Sequence, residues 1–326
     1  MKRNILSMAA LTAALTAIVP VAQAQTRAAG VPWPTMTVRV MVGFTAGSGP
    51  DMLARSLAEP LSKVLGQAVI VENKTGAGGN IAADQVAKAN DDYTLGIVAN
   101  GITSAKMLDP KLPFDPARDF SFISLLVTSP LVLVASAKGP EGAAFFALAA
   151  QNGDKWNYGS VGNGSIGHLG MEVLKSKVKG LAPMHVPFKG NPDVITALLG
   201  GDIQMALMPP GIAMPQVRTG RLKAIGLAGG RSVVVPEVPS LADAGVRDLN
   251  LEAWGALVGP AKLSKTAFDR LGIEVPKVMR SADMRQYLLN QGLVAVGTSP
   301  DGLKNRIREE MAIMGNIIAT RGIKLQ

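Results

Sequence analysis

Cysteine is absent from the 326 residues of this chain, and histidine occurs only at His168 and His185. Without cysteine, disulfides, thiolate catalysis and cysteine-ligated metal sites are excluded. The two histidines do not have the spacing of a metal-ligand pair. Aromatic residues make up only 4% of the chain, which argues against a pocket that stacks several rings on a sugar or a base. We therefore expect no metal and no cofactor.

Dense runs of basic residues are also absent, although Lys and Arg outnumber Asp and Glu by 33 to 24 and give a formal charge of +9. The basic residues are scattered and are not interleaved with aromatic ones, so the sequence predicts no nucleic-acid partner. A positive surface of this kind exerts a mild long-range attraction on anionic ligands.

The N-terminus has the pattern of a secretory signal. Lys2 and Arg3 precede an apolar stretch over residues 5–21, and Ala22-Gln23-Ala24 forms a small-x-small cleavage site. The apolar stretch is short for a membrane anchor, which needs about 20 residues. The pattern predicts that residues 1–24 are a signal peptide and that the protein is periplasmic.

The rest of the chain alternates short β-branched segments with helical patterns, which predicts α/β structure with helices on both faces of each sheet. We predict strands at residues 38–44, 69–71, 93–99, 157–160, 184–186, 203–207, 222–227 and 293–296. We predict helices at residues 50–65, 80–89, 165–178, 193–199, 212–217 and 300–318, with two more between 264 and 293. Pro60 should kink or shorten the first helix.

Two extended segments mark crossings between domains. Residues 120–137 are apolar, too long for one ordinary strand and interrupted by Pro130, and residues 249–258 are again apolar and extended. These segments divide the chain into domain 1, residues 36–127 plus 250–326, and domain 2, residues 128–249.

The same strand–loop–helix unit occurs once in each domain. A strand leads into the small-residue loop 43–49 and then a helix, and another leads into the loop 159–164 and then a helix. Helix N-termini leave backbone N–H groups unpaired and carry positive partial charge, and small residues let an anion approach them. The two loops predict a pair of anion cradles that hold one ligand between two lobes.

Five sequence blocks, taken in order, resemble the Bug family, the extracytoplasmic solute-binding receptors of tripartite tricarboxylate transporters. The blocks are GFTAGSGPDMLAR (43–55), LGQAVIVENKTGAGGN (65–80), YGSVGNGSIGHL (158–169), HVPFKG (185–190) and VPSLADAG (238–245). The departures from the family pattern lie in the first block, where Thr45 and Ala46 replace prolines and Ser48 replaces a glycine.

The resemblance implies a two-lobed type II periplasmic-binding-protein fold, or Venus flytrap, in which each lobe is a mixed sheet flanked by helices. It implies a small carboxylate ligand, which is a di- or tricarboxylate, an aromatic carboxylate or a similar acid. Family members hold the carboxylate through backbone groups and ordered water. The resemblance also implies a monomer that works with integral membrane transporter subunits.

The candidate ligand-binding residues lie on the loops that face the predicted cleft. From the first lobe they are Thr45, Ala46, Gly47, Ser48, Asp51, Gly78, Gly79, Asn80, Asn100 and Gly101. From the second lobe they are Val161, Gly162, Asn163, Gly164, Ser165, His168, Phe188, Lys189, Gly190 and Met208. Several have structural alternatives: Asp51 as a partner of Arg55, Ser165 as a helix cap, and His168 or Met208 as part of the core. Lys189 pairs with a distal carboxylate or is a solvated surface residue.

Other functions remain as alternatives. Gly162, Gly164 and Gly167 satisfy the dinucleotide fingerprint, but no acidic residue ends the next strand, where Lys189 stands instead. Ser165 and His168 would suit a hydrolase, but the sequence lacks the first glycine of a nucleophile elbow. A ligand sensor for a signalling system is the third alternative. The sequence favours a receptor that is not an enzyme.

Overall fold

The computed structural model describes residues 33–323, so the predicted signal peptide lies outside the described residues. The strands β1 to β11 are Val38–Val42, Val69–Asn73, Thr94–Ala99, Phe120–Pro130, Val132–Ser136, Asn157–Ser160, Met184–Pro187, Met205–Met208, Leu222–Leu227, Glu252–Pro260 and Val294–Ala295. The helices α1 to α10 are Gly49–Leu65, Asn80–Ala87, Gly101–Leu108, Gly142–Asn152, Ile166–Lys177, Asn191–Gly200, Pro210–Arg218, Lys265–Met279, Ala282–Asn290 and Pro300–Arg321.

A six-stranded mixed sheet in the order β11-β4-β10-β3-β1-β2 forms the first lobe. β1 pairs in parallel with β2 and β3, and β10 runs antiparallel to β3 and β4. Side chains alternate between the two faces of a strand, so Val40 packs in the core cluster with α1 and α8 while Met41 packs with α2, α3 and α10. Both faces of the sheet are therefore covered by helices.

The second lobe is a five-stranded mixed sheet in the order β7-β6-β8-β5-β9. Leu133 packs in the cluster that contains residues of α4 and α5, and its neighbour Val134 packs with α6 and α7. The predicted α/β class with two lobes is confirmed by these two sheets.

The chain passes between the sheets at two adjacent points. β4 ends at Pro130 in the first sheet and β5 begins at Val132 in the second, with Leu131 between them. The chain returns to the first sheet through Leu251, immediately before β10. Ala228, immediately after β9, connects the two crossings: its N–H donates to the Leu131 carbonyl at 2.8 Å, and its carbonyl accepts from the Leu251 N–H at 3.0 Å. The domain limits stay a prediction.

Helix α1 continues through an internal proline, Pro60. It begins with Pro50 in its first turn and continues through Pro60 to Leu65, so all of the predicted residues 50–65 are helical and Pro60 does not shorten the helix. A proline inside a helix costs about 3 kcal/mol. Leu53, Leu57 and Leu61 are at most 1% exposed, and burying each leucine contributes about 1.5–3 kcal/mol, which offsets that cost.

Candidate functional site

A cavity lies between the two lobes. Both sheets and both crossings contribute to its wall, which is mainly apolar. The polar side chains in the wall are Ser48, Asn100, Ser129, Ser160, Ser165 and Asn191. No acidic or basic side chain belongs to the wall among the described residues. A ligand here meets hydroxyl, amide and backbone groups rather than full charges.

Five helices begin at this cavity. Gly49 of α1, Gly101 of α3, Ile166 of α5, Asn191 of α6 and Pro209 immediately before α7 all line the wall. The first N–H groups of each helix have no partner within the helix, and the N-terminus carries roughly half a positive charge. These helix N-termini direct positive partial charge at a cavity whose side chains are neutral, which favours an anion.

The loop before α1, residues 43–49, is held in shape by Asp51. Its carboxylate accepts hydrogen bonds from the Gly47 N–H at 2.9 Å, from Asn73 Nδ2 at 2.9 Å and from Arg55 Nε. Burial raises the pKa of the Asp51 carboxyl, but hydrogen bonds from these donors, that of Arg55 foremost, lower the pKa below its usual value. Asp51 is thus ionised and turned towards the loop, outside the cavity wall.

Ser48 and Thr45 carry the hydroxyls that distinguish this loop from the family pattern. Ser48 is 1% exposed and lines the cavity, and its Oγ has no hydrogen-bond partner within residues 33–323. The Thr45 Oγ1 is also buried without a partner in that range, but it lies against Gly190 of the other lobe and outside the wall. Ser48 therefore presents an unused hydroxyl to the cavity.

Two histidines, His168 and His185, hold the loop before α5, residues 161–165, in its conformation. The Gly164 N–H donates to His168 Nδ1 at 3.0 Å, and the Ser165 Oγ accepts from the His168 N–H at 3.3 Å. The His168 ring stacks on the His185 ring with centroids 4.0 Å apart, and His185 Nε2 lies 2.7 Å from the Ser160 Oγ. These contacts fix the loop 161–165 and leave the His168 ring outside the cavity wall.

Both imidazoles are held neutral. Burial foremost, together with the neighbouring His168 and Lys175, lowers the pKa of His185 to about 3. Burial also lowers the pKa of His168, against a smaller opposing effect of Glu172. Because Nδ1 of His168 accepts from a backbone N–H, its ring proton resides on Nε2.

The lobes touch on both sides of the cavity. On one side the Ser104 Oγ of α3 donates to the Gly164 carbonyl at 3.0 Å, and a Cβ at Gly162 would lie 2.9 Å from the Gly78 Cα. On the other side a Cβ at Gly211 would overlap the carbonyl oxygen of Gln291. The structure is a closed arrangement in which backbone meets backbone at glycines.

The candidate residues from the sequence divide into two groups by position. Those that line the cavity are Ser48, Gly78, Asn100, Gly101, Val161, Ser165 and Met208. Those that lie outside its wall are Thr45, Ala46, Gly47, Asp51, Gly79, Asn80, Gly162, Asn163, Gly164, His168, Phe188, Lys189 and Gly190. The Lys189 side chain is exposed on the surface. Ligand binding by individual residues stays a prediction.

Five polar or aromatic wall residues were not among the residues predicted from the sequence, namely Phe44, Ser129, Ser160, Asn191 and Trp254. Asn191 opens α6 directly after Gly190, so a search for helix N-termini would find it. Ser160 ends β6, where ligands collect in α/β sheets. Ser129 and Trp254 come from the crossing strands β4 and β10 and have no local signal.

Two sheets joined by a double crossing, with an anion-favouring cavity between them, define the class of two-lobed periplasmic binding proteins. The family model described as tripartite tricarboxylate transporter family receptor matches residues 53–323. The chain belongs to this family, as its resemblance to the Bug receptors predicted.

Individual relatives agree with the family. A UPF0065 protein from the gbd 5' region of Cupriavidus necator is 34% identical over 291 residues, covering 88% of each chain. MatC from Rhodopseudomonas palustris, solved with bound malate, is 30% identical with a TM-score of 0.82, covering 88% of this chain and all of that one. R. palustris Rpa4515, solved with adipate, is 28% identical with a TM-score of 0.86, covering 90% of this chain and 99% of that one.

Within residues 33–323, no three His, Cys, Asp or Glu side chains are grouped so as to hold a metal ion. In the same part of the chain, no helix has the length and apolar character needed to cross a bilayer.

Proposed function

We propose that this protein is a periplasmic receptor that captures a small carboxylate between its lobes and delivers it to integral membrane subunits of a tripartite tricarboxylate transporter. The observation that carries the proposal is the convergence of five helix N-termini on a cavity whose wall has no charged side chain. Oriented backbone N–H groups bind carboxylate oxygens through charge-assisted hydrogen bonds.

The ligand is a dicarboxylate with a short apolar chain. Helices from both lobes begin at the cavity, so one carboxylate faces α1 and α3 while the other faces α5 and α6. Between them lie apolar groups such as Leu131 and Met208, which suit methylene carbons. Malate and adipate, bound by the two similar proteins, are both dicarboxylates, and malate differs in carrying a hydroxyl on its chain.

Calorimetric titration of the exported chain, residues 25–326, with malate, succinate and adipate tests the proposal. Succinamide is the matched control, because it keeps the size of succinate and removes both charges. We expect at least one diacid to bind and succinamide not to bind. Trp254 lines the cavity, so its fluorescence gives a second signal of binding.

The result that contradicts the proposal is a carboxylate panel without binding, including tricarboxylates and aromatic acids, while NADH or an ester substrate raises the melting temperature. Equal binding of succinamide and succinate would contradict the role of the helix N-termini. Export is checked separately by sequencing the N-terminus of the secreted protein, which we expect to begin at Gln25.

A further inference from the structure

A buried carboxylate lies behind the cavity. Glu310, in the C-terminal helix α10, is 5% exposed. Its Oε1 accepts from Asn100 Nδ2 at 2.7 Å, and its Oε2 accepts from Trp254 Nε1 at 2.6 Å. Arg306 Nε, one turn earlier in α10, lies 3.3 Å from the same Oε2. Glu310 therefore joins two residues of the cavity wall to the last helix of the protein.

Every partner of the Glu310 carboxylate is a donor. This set suits the ionised form, which only accepts hydrogen bonds. Burial raises the pKa of Glu310 above its usual value, and the bonds from Trp254 and Asn100 and the Arg306 charge oppose this rise only in part. A buried charge contributes less to stability than a well-packed apolar group of the same size, so its presence points to a role in geometry.

The Glu310 carboxylate determines the orientation of the Asn100 side-chain amide. The Asn100 Oδ1 accepts from the Trp254 backbone N–H at 2.9 Å, and its Nδ2 donates both to Glu310 and to the Glu252 carbonyl at 3.2 Å. Asn100 directly precedes α3, whose N-terminus opens on the cavity. An acceptor at Glu310 and a donor at Trp254 permit only one orientation of the amide between them.

Helix α10 also contacts the chain where it re-enters the first lobe at the start of β10. Arg306 Nη1 lies 2.9 Å from Glu252 Oε1, and Glu252 is the first residue of β10 after the crossing. Two successive turns of α10 thus fix the point where the second crossing re-enters the first lobe.

We infer that Glu310 is a positioning residue for ligand binding. Without touching the ligand, it sets the orientation of Asn100 and Trp254 and so the first-lobe wall of the cavity. This role is independent of which anion the cavity accepts, and it goes beyond the proposed function because it assigns the C-terminal helix to the site.

The test reverses the direction of one hydrogen bond. In Glu310→Gln the new amide N–H₂ must face a donor, either Asn100 Nδ2 or the Trp254 indole. In the double variant Asn100→Asp with Glu310→Gln, the amide at 310 donates to the carboxylate at 100, so the bond between the two positions is restored while the bond to the Glu252 carbonyl is lost. Because this variant places a charge in the cavity wall, it is examined without ligand. Glu309→Gln is the matched control, because Glu309 neighbours Glu310 on α10 and is exposed.

Malate affinity is the first measurement. We expect Glu310→Gln to weaken binding about tenfold or more and Glu309→Gln to bind as the unchanged protein does. The inference is overturned if folded Glu310→Gln keeps its affinity.

A second measurement needs no ligand. The backbone and indole N–H resonances of Trp254 should shift in Glu310→Gln and return towards their original positions in the double variant. If the unchanged protein binds no carboxylate, the proposed function fails, and these resonances still decide the role of Glu310. Unshifted resonances would overturn the inference. Should Glu310→Gln not fold, recovery of folding by the double variant supports it and continued misfolding overturns it.

Discussion

Gly211 offers a direct test of lobe closure. It is the second residue of α7 in the second lobe, and Gln291 lies between α9 and β11 in the first. A Cβ at Gly211 would overlap the Gln291 carbonyl oxygen and lie 2.9 Å from its carbon. The obstacle is backbone, so no change of rotamer relieves it. Gly211→Ala should therefore hinder closure without disturbing either lobe.

The size of the effect follows from the cost of overpacking. Forcing one extra methyl group into a close contact costs about 1–3 kcal/mol. If the lobes are free to separate, only the closed form bears this cost, so ligand affinity falls by roughly 5- to 150-fold. In both forms alanine is favoured over glycine within a helix by about 1 kcal/mol. The melting temperature without ligand should therefore stay unchanged or rise slightly.

The assay is calorimetric titration with the best-binding diacid, together with thermal unfolding without ligand. Gly230→Ala is the matched control, because a Cβ there meets nothing within 4 Å and its φ lies outside the left-handed range. Undiminished affinity in Gly211→Ala would refute the reasoning, since it would mean that binding does not bring Gly211 against Gln291. A loss of affinity with an equal loss of stability would also refute it.

Three further predictions concern the two loops. Ser48→Ala removes a buried hydroxyl without a described partner, so thermal unfolding should be unchanged, whereas titration should show a lower ratio of malate to succinate affinity. Asp51→Asn places an amide donor among the donors from Gly47 and Arg55 and should lower the free energy of unfolding in urea by about 1–3 kcal/mol. The pKa of His185 falls from 6.5 to about 3 on folding, so the unfolded state binds more protons below pH 6.5. Stability should be full above pH 6.5 and decline as the pH falls towards 3, and urea titrations at several pH values should show a shallower decline in His185→Gln.

Local patterns in the sequence located most of the elements. The strands at residues 157–160 and 222–227 have the predicted limits, and the leucine spacing placed α1. Helices α3 and α4 were missed for different reasons. The sequence of α3, GITSAKML, begins with glycine and two β-branched residues, which are poor helix formers. That of α4, GAAFFALAAQN, is apolar on nearly all sides and shows no helical period.

The site was predictable only where it depends on local structure. Loops that open helices carry their own signal in glycine and serine, and this signal led to Ser48, Gly101 and Ser165. The wall formed by Trp254 depends on the pairing of β10 with β4 across more than a hundred residues, including shifts of register at Gly255 and at Leu257. No local pattern reports such pairing. The hydrogen bond between Asn100 and Glu310 spans 210 residues, so a local sequence pattern does not predict it either.

Ser48 and Ser165 occupy the same helix position but offer different chemistry to the cavity wall. Both are N-cap residues, whose hydroxyl normally accepts from the N–H two or three positions later. Ser165 does so with His168, three positions later, and its hydroxyl is occupied. Ser48 makes no such bond, because Pro50, two positions later, has no N–H, and the N–H of Asp51, three positions later, is not bonded to it. The hydroxyl that replaces a family glycine at Ser48 is therefore left without a partner among residues 33–323 and faces the cavity, which is why selectivity between malate and succinate is expected to depend on it.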